Sequence, residues 1–228
     1  EVLHSGDQAY PRMLAAIAEV KKSVGLVSYI FRADKAGEAF HQALIQAQRR
    51  GVEVRVLIDG VGGGYFYSGT YNHLRRAGVP VARFLHSYFP WRMPFVNLRN
   101  HRKVMVVDGR IGFTGGLNIG AENISADKPP FVVLDTHFQF EGPIVEQLTD
   151  AFADDWLYTT GEKLLTENWF PPLEKAGQAL ARVVTSGPDE DMEQIEFVTL
   201  HAISCAQKSV RVVTPYFLPP DPLTMALG

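Results

Sequence analysis

One run of this sequence holds residue types at spacings that could do chemistry: His101-Arg102-Lys103-Val104-Met105-Val106-Val107-Asp108-Gly109-Arg110-Ile111-Gly112-Phe113-Thr114-Gly115-Gly116-Leu117-Asn118. Read as a strand, His101 and Lys103 lie two apart and project from one face. An imidazole able to attack, or to carry a proton, then sits beside a fixed cation, as attack on a negatively charged phosphorus requires. Asp108-Gly109 is a turn dipeptide that reverses the chain. The returning strand brings Gly115-Gly116 and Asn118 to the same region. Glycines there permit close backbone approach, and an asparagine amide donates to a phosphoryl oxygen.

The run resembles the motif of the phospholipase D superfamily: His-x-Lys, four residues, Asp, six residues, then Gly-Gly-x-Asn. Every fixed position is met. Four stretches are similar to the bacterial cardiolipin synthases within that superfamily: Asn100 to Lys103, Gly112 to Gly120, Asp135-Thr136-His137 followed by Glu141-Gly142-Pro143, and Thr214-Pro215-Tyr216-Phe217. The resemblance extends from about Leu3 to the end of the chain. It implies an enzyme that forms a covalent phosphohistidine at His101, with no metal and no cofactor. Lys103 and Asn118 would hold phosphoryl oxygens, and Asp135 would accept the other ring N–H of His101. Asp108, Gly115 and Gly116 would support the motif structurally. The implied activity is phosphatidyl transfer of the cardiolipin synthase type on a phosphatidylglycerol-like lipid. The alternatives are phospholipid hydrolysis through the same intermediate, or a phosphodiesterase or nuclease. The superfamily builds one site from two such motifs and this chain carries one, so the second half-site is expected from a missing C-terminal segment or a homodimer partner.

The elements around the motif alternate between helical and strand periods. Residues 10–24 place Met13, Leu14, Ile17, Ala18 and Val20 near one helical face, and residues 24–31 form a nearly continuous apolar strand. A second amphipathic helix over 36–50 stops at Gly51, and a strand covers 52–59. A short helix (71–77), strands at 79–84, 103–107, 111–114 and 136–141, and a helix over 143–158 complete the unit. This alternation predicts an α/β, three-layer sandwich of phospholipase D type, with a mixed, mostly parallel sheet and helices on both faces.

Residues 202–217 repeat residues 16–31 without a gap: Lys22-Ser23-Val24 matches Lys208-Ser209-Val210, and Phe31 matches Phe217. The expected organisation is therefore a first phospholipase D-like domain over 1–160, a connector over 161–185, and an incomplete second repeat over 186–228.

The 22 basic and 25 acidic residues give a formal net charge of −3, which argues against nucleic acid as the substrate. The single cysteine, Cys205, excludes an intrachain disulfide framework and a cysteine-based zinc site. His4, His41, His73, His86 and His201 show no metal-ligand spacing, and His137 reads as structural. The glycine-rich stretch Gly60-Val61-Gly62-Gly63-Gly64 lacks the lysine and the acidic partner of nucleotide-binding loops, so it reads as a flexible loop at a strand end. Residues 86–95 (HSYFPWRMPF) read either as a proline-rich loop on the core or as an amphipathic lip that meets lipid through Trp91, Arg92 and Phe95. The flanking arginines and Lys103 suit an anionic headgroup. The expected setting is the bacterial inner membrane, as a peripheral protein or one anchored through a missing N-terminal segment. The chain itself has no run long enough to span a bilayer and reads as soluble.

Overall fold

The computed structural model describes residues 1–64, 66–86, 99–186, 194–214 and 217–228. Trp91, Arg92 and Phe95, the lip residues, lie outside them. The chain divides into two compact units, Glu1–Val183 and Val184–Gly228.

The first unit runs β1 (Val2–His4), α1 (Ser5–Glu19), β2 (Ser23–Ser28), α2 (Lys35–Arg49), β3 (Glu53–Asp59), α3 (Gly69–Arg76), β4 (Val81–Phe84), β5 (Val104–Val107), β6 (Ile111–Gly115), β7 (Thr136–Glu141) and α4 (Ile144–Thr160). Its sheet has seven strands in the order β1-β7-β6-β5-β2-β3-β4. β2 pairs in parallel with β3, and β3 with β4, because a helix carries the chain back between each pair. The β2–β5, β5–β6, β6–β7 and β1–β7 pairings are antiparallel. The sheet is mixed as expected, but antiparallel pairings outnumber parallel ones. A hairpin joins β5 to β6, and among the described residues no α-helix lies between β6 and β7.

Two apolar layers sandwich the sheet. On one face α1 and α2 bury Met13, Ile17, Phe40 and Leu44 against Val24, Leu26, Val54, Val56 and Met105. On the other, α4 packs Leu148, Phe152 and Trp156 over Val27, Leu57, Val104 and Val106. Gly25 and Gly112 are where α4 comes closest: a Cβ at either would collide with Phe152 or Leu148. Residues 161–183, read from sequence as a connector, belong to the first unit, and Leu164 and Trp169 complete the second apolar layer. Trp169 stacks on Phe152 with ring centroids 5.9 Å apart and donates its indole N–H to Glu53 at 2.8 Å.

Local chemistry sets the boundaries of these elements. Asp34 caps α2 by accepting from the Gly37 N–H at 3.0 Å, and Ser68 caps α3 at Tyr71. Gly51, with φ +88°, and Gly161, with φ +78°, follow α2 and α4 in the left-handed conformation that favours glycine. At the β5–β6 turn Asp108 and Gly109 both have positive φ, as a tight hairpin needs. The Asp108 carboxylate then accepts the backbone N–H groups of Lys21, Lys22 and Ser23 at 2.6–3.2 Å. It ties the hairpin to the start of β2, so its placement is structural.

The second unit contains α5 (Gln194–Ser204) and α6 (Asp221–Leu227). The repeat's helix forms, but its expected strand does not. Residues 209–214 make no ladder, and Val212 and Val213 are exposed. A strand needs a neighbour for its backbone groups, and this unit offers none among the described residues.

Candidate active site

His101, Lys103, Gly115, Gly116 and Asn118 gather at one end of the sheet, beyond the carboxyl ends of β2, β3 and β6 and the amino ends of β5 and β7, while Asp108 lies at the other end. Strand order switches at β2 there, the position where open α/β sheets leave a crevice.

His101 and Lys103 precede β5 rather than lying on it, because the ladder starts at Val104. They meet by a different route from the shared strand face expected of them. Lys103 Nζ folds back to donate to the His101 carbonyl at 2.6 Å and stands 5.5 Å from the Tyr29 ring centre. The His101 imidazole stacks on the same Tyr29 ring at 4.1 Å, with 28° between the planes. Gly62 packs closely against Tyr29: a Cβ there would strike the Tyr29 carbonyl and ring. The glycine-rich loop at the end of β3 therefore lies against the residue that stacks on His101.

The backbone leading into His101 is clamped. Asp59, fully buried at the end of β3, accepts from the Asn100 N–H at 3.0 Å and from the Val61 and Gly62 N–H groups at 2.8 Å each. Asn100 donates its amide to Asp155 of α4 at 2.7 Å and accepts from the Arg102 N–H. Arg102 pairs with Asp155 at 2.6 Å. Burial pushes the Asp155 carboxyl up, and Arg102 and Asn100 hold it down. Asp59, Asp155 and Tyr29 were not singled out in the sequence. An aspartate closing a buried strand was the one available signal, for Asp59.

Asn118 is fixed from behind. Its Oδ1 accepts from the Ile30 N–H at 3.0 Å and its backbone carbonyl accepts from the Tyr10 hydroxyl at 2.6 Å. This leaves the side-chain NH2 as the free donor. Asp135 is not where the resemblance put it. It makes no hydrogen bond to His101; its Oδ1 accepts from the Thr136 N–H at 2.7 Å, and its carboxylate fills the space over Gly116 that a side chain there would need. Glu141, at the far end of β7, is no substitute.

The electrostatics favour an uncharged imidazole. Burial and then the Lys103 charge push His101 below its ordinary value, with Asp59 opposing and Arg99 adding to the shift. Burial also lowers the Lys103 ammonium, which Asp135 and Asp59 counter.

His137 is buried on β7, and neither ring nitrogen has a hydrogen-bond partner. Burial, helped by Lys103, pushes it from 6.5 down to about 4. The folded ring therefore binds its proton more weakly than the unfolded one. Its contribution to stability is complete above about pH 6.5 and is lost as pH falls toward 4, a difference of about 3 kcal/mol. Urea unfolding of the wild type and His137→Phe should show a stability gap that changes by about that amount across this window. A gap independent of pH would contradict it.

The family model described as "Cardiolipin synthase, PLD-like domain" matches residues 13–156. Cardiolipin synthase 1 of Bacillus cereus is 34% identical over 235 residues, covering 100% of this chain and 46% of that protein. The cardiolipin synthase of Geobacillus kaustophilus is 36% identical over 232 residues, covering 99% of this chain and 45% of that protein. The chain thus spans about half the length of these curated relatives. Among solved structures, Nuc of Salmonella typhimurium, a phospholipase D family member, superposes with a TM-score of 0.54 at 24% identity, over 70% of this chain and 94% of that one. A phosphatidylserine synthase of Haemophilus influenzae superposes with a TM-score of 0.52 at 16% identity, over 69% of this chain and 36% of that one. At those identities the two structures speak for the fold alone. With most of the first unit matched by the family model and the whole chain matched by the relatives, the chain belongs to the cardiolipin synthase, phospholipase D-like domain family.

Proposed function

We propose that this chain is one catalytic half of a phosphatidyltransferase of the cardiolipin synthase type, acting on a phosphatidylglycerol-like lipid through a covalent bond from phosphorus to His101. The observation that carries the reading is an imidazole stacked on Tyr29 with the Lys103 ammonium hydrogen-bonded to its backbone carbonyl. In the first step a ring nitrogen lone pair attacks phosphorus, the bond to one glycerol oxygen breaks, and the leaving oxygen takes a proton. In the second, the hydroxyl of another lipid attacks the same phosphorus and loses its proton, and the phosphorus–nitrogen bond breaks to restore His101. Lys103 and the Asn118 NH2 hold the non-bridging oxygens as charge builds on them. Tyr29 keeps the ring plane and Asp59 keeps the backbone before it, while Asp135 steadies Lys103. The proton steps fall to a second histidine, from a further segment of the protein or from a second copy of the chain.

A lipid substrate is supported by the approach to Asp135. Phe131, Val132, Val133 and Leu134 are consecutive and exposed, Phe131 at 64% and Leu134 at 74%. Such a row beside the site suits acyl chains at a bacterial membrane surface. No helix among the described residues is long and apolar enough to cross a membrane.

The test supplies phosphatidylglycerol vesicles with a labelled headgroup glycerol to the whole protein. Cardiolipin and free glycerol should appear in equal amounts. Phosphatidic acid in place of cardiolipin would replace transfer by hydrolysis, and nucleic-acid cleavage without lipid turnover would overturn the lipid reading. The 228-residue chain as a monomer should be slower by roughly a hundredfold or more, since general-acid assistance is lost.

A further inference from the structure

A second cluster of chemically competent side chains lies away from the site, between α2 and α3. Ligand-capable atoms of Glu38, His41 and His73 all lie within 4.8 Å of one another. Glu38 and His41 are one turn apart on α2, and His73 comes from α3, with its ring 5.1 Å from that of His41.

The hydrogen bonds around His41 leave a conflict that protein atoms alone do not resolve. The ring is completely buried. The Thr70 hydroxyl donates to the Phe31 carbonyl at 2.8 Å, so toward His41 Nε2, 3.1 Å away, its oxygen accepts. Nε2 therefore carries the proton, and in the neutral ring Nδ1 holds a lone pair. That lone pair faces Glu38 Oε2 at 3.3 Å, an oxygen that also only accepts. Two acceptors facing each other call for a cation between them. A second ring proton, on Nδ1, would put a full charge on a side chain that is completely buried.

We propose that Glu38, His41 and His73 bind one divalent transition metal of the zinc class. Two imidazoles and a carboxylate are a recognised zinc donor set, with a fourth position left for water. An adjacent cleft of about 420 Å³ between the two helices has room for that water. Both supporting partners that orient such ligands are present. Thr70 fixes the His41 tautomer, and Gln42 holds the other Glu38 oxygen at 2.6 Å. Bonds of about 2.1 Å in a tetrahedron place ligand atoms roughly 3.4 Å apart. The exposed side chains of Glu38 and His73 must close by about an ångström, a rotamer adjustment. The bound ion would fasten α3 to α2 beside Phe31, whose neighbour Ile30 holds Asn118. The proposal does not depend on the activity assigned above.

The test strips the tag-free protein with chelator and titrates it with Zn²⁺, and with Co²⁺ followed by its visible absorption. One ion per chain should bind, with cobalt bands typical of nitrogen and oxygen ligands and a rise in Tm. His73→Ala should weaken binding by at least tenfold and abolish the Tm shift. Gln42→Ala, on the exposed helix face, should weaken it about tenfold. His4→Ala, an exposed histidine on β1, should change nothing. Absence of saturable binding, or binding that His73→Ala leaves intact, would overturn the proposal.

Discussion

Replacing His101 with asparagine should stop phosphatidyl transfer, with a loss of about four orders of magnitude or more, as removal of a covalent nucleophile usually brings. Asparagine keeps a polar group of similar reach in place, but its amide nitrogen has no lone pair able to form the bond to phosphorus. The fold should be untouched: His101 is only partly covered and its ring makes no hydrogen bond among the described residues, so its structural contribution is the stacking on Tyr29. Denaturant quench of the working wild-type enzyme should leave a phosphatidyl group on the peptide that contains His101, detected as an added mass and lost in acid. The variant should show no added mass. The pH profile carries a second signature. Because burial and Lys103 lower the imidazole below its ordinary value, the acidic limb of kcat/KM should fall below pH 6.5. An active His101→Asn variant, or a label on another residue, would refute the assignment.

Trp169→Ala should cost about 3–5 kcal/mol of stability in the first unit, the usual range for deleting a buried aromatic. The indole is 1% exposed, stacks on Phe152 and donates to Glu53. Its loss opens the apolar layer under α4 and leaves a carboxylate oxygen without its donor. A chain ended after Thr160 should fare worse, since Leu164 and the Glu162–Arg55 pair leave with it. Urea midpoints of the two variants against the parent measure this. A midpoint barely moved by Trp169→Ala would mean that residues 161–183 are dispensable to the core.

The motif from His101 to Asn118 was legible because the chemistry depends on residue identity at fixed spacing. The main helices and inner strands were legible because buried faces impose a period. What escaped depends on contacts far apart in sequence. β1 is three residues long and acquires its identity only by pairing with β7. α1 starts at Ser5, ahead of the expected start, with Pro11 in its interior, because burial of Ala9 and Tyr10 outweighs the proline's preference. The role of Asp59 depends on where Asn100 arrives in space. His41 and His73 show no metal-ligand spacing in sequence, because their cluster with Glu38 forms only where α2 and α3 meet. The aspartate expected on His101 was carried over from a resemblance, and the fold gives Asp135 a closer partner in its own strand.

β2 lies inside the sheet, between β3 and β5, with partners that emerge from synthesis at very different times. Val24 pairs with Val54 on one side and with Val107 on the other. During translation the first partner arrives soon after α2, so the parallel half forms early. The opposite edge of a fully buried strand then stays bare until β5, just behind His101, has left the ribosome. Until that moment the nascent chain displays an apolar edge of the kind that recruits other chains. The segment that carries His101 is also the one that seals this edge of β2, so the two arrive together.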